Sequence, residues 1–209
     1  MSELTIEAMP KDRLHEAVDI HLKAFPMFFL STLGRRFLRC LYEEIGNDAT
    51  GIVLCCSDGR GTLGFVAGTT RPAHFYRRLL LRRWWRFALA AMWPTLRKPS
   101  TIPRVLNAFR KPAEAPRDNG CAELMSIAVS PSAQGAGIGK LLARAFLDEC
   151  SLRGAERAVL TTDASANDAV NRFYRDFGFR LDRTFVTPQG RAMNEYSIGT
   201  EQHVYSHHN

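Results

Sequence analysis

The chain has 209 residues, of which 45% are hydrophobic, and its 28 basic and 21 acidic side chains give a net charge of +7. This length is ample for a single hydrophobic core, and the apolar fraction is ordinary for a globular protein. No apolar run approaches the length of a transmembrane helix or a signal peptide, so we expect a cytoplasmic protein.

Five cysteines are spread over the chain, which is an odd number. Cys55 and Cys56 are adjacent in a predicted strand and would face opposite sides of it. No C-x-x-C pair occurs in the sequence. We therefore expect buried free thiols in a reducing compartment and no metal site.

The N-terminal region predicts a strand at residues 4–9, ended by Pro10, and then two helices. Asp12 is placed to cap the first helix. His21 lies beside the apolar face of that helix, and we expect it to be structural rather than catalytic. The predicted inner positions are Leu14, Val18, Leu22 and Phe25 in the first helix and Phe37, Leu38, Leu41, Tyr42 and Ile45 in the second.

Two further features precede residue 71. Residues 25–30 form a dense aromatic loop between the two helices, which could be a plain hydrophobic plug. Residues 52–56 and 62–70 predict a β-hairpin, because the segment between them is rich in residues that tolerate turn conformations.

Residues 71–118 differ from the rest of the chain in composition. Between residues 71 and 113 there are eleven basic side chains and no acidic one, so the net positive charge originates here. The spacing predicts a helix, then a proline-interrupted stretch with at most a short helix at residues 104–110. The predicted apolar stripe is Tyr76, Leu80, Trp84, Phe87, Ala88 and Ala91, and the arginine stripe is Arg78, Arg82 and Arg86.

This apolar stripe carries too much aromatic surface to face water. Three kinds of surface could cover it. The segment could form a lid or acceptor wall on the rest of the protein, or a contact in a homodimer. It could also lie on an anionic membrane surface through residues 72–98. No nucleic-acid-binding motif accompanies the basic charge, so we expect no nucleic-acid partner.

The stretch from Glu123 to Gly139 predicts a buried strand at residues 124–129, a turn, and a glycine-rich loop that opens into an amphipathic helix. The first N–H groups of a helix lack intrahelical partners, and the helix dipole adds positive charge there, so the loop predicts a phosphate site. The glycine spacing matches neither a dinucleotide-binding fingerprint nor a Walker A loop.

Two motifs resemble the GCN5-related N-acetyltransferase (GNAT) superfamily. Gln134, Gly137 and Gly139 match the Q/R-x-x-G-x-G/A pattern of its acyl-CoA loop, and residues 167–179 match its N-x(3)-N-x-x-Y-x(3)-G-F run. The resemblance is good over residues 121–200 and holds only in outline over the first 70.

The resemblance implies a mixed α/β (α+β) fold of the acyl-CoA transferase type, with a single domain over residues 1–200. Members of this family usually join the third and fourth strands by a short turn, so residues 71–118 would be a basic, partly helical insertion. Residues 158–162, 179–186 and 193–198 predict the last strands. Residues 201–209 would be a loose tail.

The resemblance also implies acetyl transfer from acetyl-CoA to a primary amine by direct attack. Tyr174 matches the family tyrosine that protonates the leaving thiolate, and Glu123 stands where some members carry a general base. Tyr174 also fits an ordinary core stripe, and Glu123 fits an edge carboxylate paired with a basic residue. The implied cofactor contacts are Ile127, Ala128, Val129, Gln134, Gly135, Ala136, Gly137, Ile138, Gly139, Lys140, Asn167 and Asn171.

The acceptor is expected to be a small or nucleotide-linked amine, with amino sugars among the candidates. The aromatic loop would border the acceptor site in such a fold, and the basic segment would suit an anionic acceptor. The alternative is a non-catalytic acyl-CoA-binding or scaffold module, which would use residues 71–118 for contact with a partner or a membrane.

Overall fold

The structure is a computed structural model and describes residues 3–26, 28–97 and 120–201. Its helices are α1 (Leu14–Ala24), α2 (Phe29–Thr32), α3 (Gly34–Asn47), α4 (Phe75–Arg82), α5 (Trp84–Arg97), α6 (Ile138–Leu152) and α7 (Asp168–Phe177). Its strands are β1 (Thr5–Ala8), β2 (Gly51–Ser57), β3 (Thr62–Thr69), β4 (Cys121–Val129), β5 (Arg157–Asp163), β6 (Arg180–Val186) and β7 (Ala192–Gly199). The predicted short helix at residues 104–110 and nearly all of the predicted tail lie outside the described residues.

The seven strands form one sheet in the order β1-β2-β3-β4-β5-β7-β6. The pairing of β4 with β5 is parallel, and the other neighbouring strands are antiparallel. The mixed sheet confirms the predicted fold class, and the antiparallel pairing of β2 with β3 confirms the predicted hairpin.

Both faces of the sheet are covered by helices. Phe65 belongs to a buried cluster with α1, α3, α4 and α5, whereas its neighbour Val66 belongs to a second cluster with α6 and α7. Successive residues of a strand point to opposite faces, so this alternation places one core on each side of the sheet. The central strands therefore consist mostly of apolar residues.

The first helix begins differently from the prediction. Asp12 was expected to cap it, but Asp12 lies inside a 3₁₀ turn at Lys11–Arg13, and neither this turn nor α1 has a side-chain cap. The Arg13 N–H donates to the Pro10 carbonyl at 3.1 Å, so a backbone turn starts the helix. The prediction that His21 is structural is supported, because its side chain is buried and Nδ1 lies 2.6 Å from the Tyr42 hydroxyl.

The helical segment after β3 corrects the predicted apolar stripe. The helix is interrupted at Arg83, whose φ of −137° and ψ of 34° are not helical, and this changes the register between α4 and α5. The side chains that turn inward are Phe75, Leu79 and Phe87, whereas Trp84 is 66% exposed. Leu80 is half-buried, and Tyr76 and Ala88 are exposed.

All five cysteine side chains are buried thiols, as predicted. Within the described ranges, no group of three or more histidine, cysteine or acidic side chains is arranged to hold a metal ion. None of the described helices has the length and hydropathy needed to cross a bilayer.

Candidate active site

The central feature of the candidate site is the separation of two neighbouring strands. β4 and β5 pair only from Cys121–Arg157 to Glu123–Val159 over the described residues. Both strands continue beyond this point, β4 to Val129 and β5 to Asp163. A gap therefore opens in the sheet directly after Glu123.

A β-bulge lies at the same place on the other side of β4. Gly68 pairs with Leu124 and Ala67 pairs with Ser126, so β4 has one extra residue, Met125. The bulge shifts the alternation of faces, and both Leu124 and Ile127 pack with the cluster of α6 and α7. No sequence pattern predicted this bulge.

The backbone of β4 offers hydrogen-bond donors to the gap. The Ser130 N–H donates to the Leu63 carbonyl on the β3 side, at 2.7 Å. Successive N–H groups of a strand alternate in direction, so the N–H groups of Ile127 and Val129 point away from β3. The N–H of Ala128 faces β3, so it cannot donate a hydrogen bond into the gap. The strand is thus suited to pair with an extended ligand.

The glycine-rich loop leads from β4 into α6. Gly135 and Gly137 have φ values of +83° and +77°, which favour glycine, and a Cβ at either position would meet nothing within 4 Å. Gly137 is the N-cap residue of α6, and its carbonyl accepts from the N–H groups of Lys140 and Leu141. Gln134, Ala136 and Lys140 are also exposed, whereas Ile138 is buried. The open backbone at a helix N-terminus fits a phosphate group.

Gly139 brings this loop close to the strand gap. A Cβ at Gly139 would lie 3.4 Å from the Phe173 ring and 3.9 Å from Val129. The N-terminus of α6 therefore touches both α7 and the end of β4. The anion-binding loop and the open edge of β4 form adjoining parts of one site.

Asn171 has a buried, internal role. Its Nδ2 donates to the carbonyls of Asp163 and Asn167, and its Oδ1 accepts from Asn194 Nδ2 and the Tyr196 hydroxyl, each at 2.9 Å. These four bonds occupy the side-chain amide and tie α7 to β5 and β7. Asn167 stands at the N-cap position of α7, and its Nδ2 donates to the Thr162 hydroxyl at 2.7 Å.

Tyr174 lies in an apolar environment on α7. Its side chain packs against the rings of Phe173, Phe179 and Tyr196, with centroids 5.2, 5.5 and 6.1 Å away, and the residue is 6% exposed. Burial raises the pKa of its phenol above the ordinary value near 10, so the hydroxyl keeps its proton. Ile127 and Val129 pack against the same cluster. Both predictions for Tyr174, core residue and proton donor, are compatible with this position.

Glu123 lies at the closed end of the gap, as the last residue of β4 that pairs with β5. Tyr76 of α4 is close enough to Glu123 for an electrostatic interaction. Burial of the hydroxyl group and the negative charge of Glu123 both raise the pKa of Tyr76, although 37% of the residue surface is exposed. The sequence did not predict this proximity, because it joins positions 47 residues apart in different elements.

The rim of the site is closed by a contact that the sequence did not reveal. Arg191, in the turn between β6 and β7, donates to both carboxylate oxygens of Asp163 at 2.7 Å. Its guanidinium also lies over the ring of Phe28, 5.5 Å from the centroid. The aromatic loop at residues 25–30 therefore meets the β6–β7 turn beside the end of β5.

Comparisons with known proteins agree with this geometry. The model of the Acetyltransferase (GNAT) family matches residues 14–179. A search of curated proteins finds no match.

Several solved structures share the fold at low sequence identity. An N-acetyltransferase from Staphylococcus aureus Mu50 superposes with a TM-score of 0.63 at 20% identity, covering 95% of this chain and 99% of the other. A spermidine N-acetyltransferase chimera of Vibrio cholerae SpeG and hSSAT gives 0.62 at 15% identity, with 98% and 99% covered. A Salmonella typhimurium protein, solved with acetyl-CoA as its cofactor, gives 0.60 at 16% identity and 99% coverage of both chains.

Proposed function

The chain belongs to the acetyltransferase (GNAT) family and is an acetyl-CoA-dependent N-acetyltransferase, and from this premise we propose that it acetylates the primary amine of a small acceptor by direct attack. The observation that carries the proposal is the gap after Glu123, where the open edge of β4 adjoins the glycine-rich loop. This arrangement suits a ligand with an extended arm and a pyrophosphate group.

The glycine-rich loop is the proposed pyrophosphate site. The backbone from Gly135 to Lys140 lies at the N-terminus of α6, where unpaired N–H groups and the helix dipole favour negative charge. Lys140 is exposed and adds a positive charge to this end of the helix. The N–H groups of Ile127 and Val129 are the proposed donors to the extended arm, as in the addition of a strand to a sheet edge.

The N–H of Ile127 or Val129 is also the proposed donor that polarises the thioester carbonyl. A donor that faces the thioester carbonyl stabilises the negative charge that develops on its oxygen during attack. Asn171 contributes indirectly under this proposal, because its amide holds α7 against β5 and β7. Asn167 assists it from the N-cap position.

Tyr174 is the proposed general acid. When the amine nitrogen bonds to the carbonyl carbon and the carbon–sulfur bond breaks, the departing sulfur requires a proton. A phenol is protonated at neutral pH even at its ordinary pKa near 10, so Tyr174 has a proton to donate. Its position against the cluster that includes Ile127 and Val129 supports the assignment.

Glu123 is the proposed general base, acting directly or through water. An amine with a pKa near 10 is mostly protonated at neutral pH and must lose a proton before it attacks. The location of Glu123 at the apex of the gap supports this role. Tyr76 would then border the acceptor, which makes α4 part of the acceptor wall.

A small amine is the proposed acceptor class, and a nucleotide-linked amine or amino sugar is the finer candidate. Phe28 is 42% exposed at the rim and offers a flat apolar surface. The structurally similar chimera of Vibrio cholerae SpeG and hSSAT is a spermidine N-acetyltransferase, which supports a small amine as the acceptor class.

The direct test is release of free CoA thiol from acetyl-CoA over a panel of polyamines, aminoglycosides and amino-sugar nucleotides. Turnover with at least one primary amine is expected. If the protein binds acetyl-CoA but releases no thiol with any amine, the non-catalytic binding module replaces this proposal.

A further inference from the structure

We propose that the exposed face of α4 and α5 docks on the surface of an anionic lipid membrane. This face is distinct from the strand gap. Its docking would place the enzyme at a membrane surface. The face is formed by residues between Phe75 and Ala90.

One side of these two helices is fixed to the protein. Phe75, Leu79 and Phe87 are at most 4% exposed and pack into the cluster of α1 and α3. The Phe87 ring lies 5.4 Å from the ring of Phe37. Arg86 donates to Glu44 at 2.5 Å, which holds α5 on α3. Because these contacts fix the inner face, the opposite face must point outward.

Four large apolar side chains of these two helices are exposed. Leu81 and Trp84 are each 66% exposed, Trp85 is 49% exposed and Leu89 is 59% exposed. Trp85 and Leu89 are four residues apart in α5 and share one side of the helix. Tryptophan prefers the boundary between water and acyl chains, and leucine prefers the acyl chains themselves.

The charged side chains that this segment itself contributes are all basic. Arg77, Arg82 and Arg83 are exposed, and no acidic residue occurs between residues 71 and 113. Each basic side chain near an anionic bilayer favours binding, and arginine can extend its charge to the headgroups while its neighbours enter the interface. None of the described helices can span a membrane, so the contact would be peripheral.

This charge pattern argues against a second copy of the chain. A two-fold dimer would place the same patch against itself and bring exposed arginines such as Arg77 and Arg83 toward their own copies, which disfavours self-association. A single-stranded nucleic acid could stack bases on Trp84 and Trp85, but it would leave Leu81 and Leu89 uncovered. An anionic bilayer satisfies both the apolar and the basic side chains.

The test uses the full chain with vesicles of phosphatidylcholine and phosphatidylglycerol in equal parts, and with phosphatidylcholine vesicles as the comparison. All three tryptophans, at positions 84, 85 and 93, belong to α5, so tryptophan fluorescence reports on this helix. Co-sedimentation with the anionic vesicles and a blue shift of the emission are expected, with much weaker binding to phosphatidylcholine.

Variants then separate the two contributions. Arg77→Gln, Arg82→Gln and Arg83→Gln should each weaken vesicle binding roughly fivefold, and the double variant Trp84→Ala/Trp85→Ala about tenfold or more. The matched controls are Arg157→Gln/Arg180→Gln for charge and Leu152→Ala/Val186→Ala for exposed apolar surface, and they should bind like the unaltered protein. All these variants should keep their thermal shift with acetyl-CoA, so failure here is distinguishable from failure of the proposed function.

Three results would overturn the inference. The first is absence of binding to anionic vesicles by the unaltered chain. The second is a concentration-dependent dimer, seen by sedimentation velocity, that Trp84→Ala/Trp85→Ala dissociates while vesicles do not bind. The third is binding to a single-stranded oligonucleotide in place of vesicles.

Discussion

At the residue scale, His21 is a buried titratable side chain that links folding to pH. Its side chain is 2% exposed and its Nε2 has no hydrogen-bond partner among the described residues. Burial lowers the pKa of the imidazole from 6.5 to about 4, because the charged form would lose its hydration. The folded protein therefore holds the neutral form, whereas the unfolded chain binds a proton at a higher pH.

The sign of this linkage gives the first prediction. The stability from neutral His21 is fully present above pH 6.5 and is lost as the pH falls toward 4, since only the unfolded chain gains a proton there. We expect the contribution of His21 to the free energy of unfolding to be about 2 kcal/mol smaller at pH 5 than at pH 7. Urea titrations of His21→Gln should lack this difference, and those of the exposed control His15→Gln should retain it.

Tyr174 and Tyr196 form a pair that separates catalysis from structure. Their rings are 6.1 Å apart, but the Tyr196 hydroxyl donates to Asn171 inside the protein. We expect Tyr174→Phe to lower kcat by roughly 10²-fold or more, with an unchanged thermal shift by acetyl-CoA. Tyr196→Phe should instead lower the free energy of unfolding by about 1 kcal/mol while losing far less activity. Equal turnover of Tyr174→Phe and the unaltered enzyme would return Tyr174 to a purely structural role.

At the scale of elements, sequence patterns predicted what depends on local spacing. The β2–β3 hairpin, α3 with its inner residues and the end of α7 at Gly178 all follow from periodicity and turn residues. The separation of β4 from β5 and the bulge at Met125 were not predictable in this way, because both depend on which strands are neighbours. The break at Arg83 was also missed, because it interrupts an otherwise helical pattern and Phe87 beyond it packs on Phe37 of α3.

The glycine-rich loop gives a prediction with a closely matched control. Gly137 and Gly154 stand at opposite ends of α6, both have φ of +77°, and a Cβ at either would meet nothing within 4 Å. Glutamate at either position therefore imposes similar backbone strain. We expect Gly137→Glu to abolish the thermal shift caused by acetyl-CoA, because its carboxylate would oppose the pyrophosphate. Gly154→Glu should retain that shift, and loss in both variants would assign the effect to strain alone.

At the scale of the whole molecule, α4 and α5 connect the candidate site with the outer surface. Tyr76 is near Glu123 at the gap, whereas Trp84 and Trp85 face outward. Between them, Phe75, Leu79 and Phe87 complete the core against α1 and α3. Removal of the whole segment from Pro72 to Pro116 would uncover this core, so a loss of activity after deletion would not distinguish a lid from a structural support.

Single substitutions in α5 separate its structural contacts with the core from its exposed surface. Phe87 is 4% exposed and contacts Phe37, so Phe87→Ala should leave a cavity and lower the free energy of unfolding by about 3 kcal/mol. Trp84 is 66% exposed, and Trp84→Ala should change that free energy by no more than about 0.5 kcal/mol. Urea denaturation of the two variants measures both values. A large loss for Trp84→Ala would mean that this side chain is covered within the protein, which would remove it from any external surface.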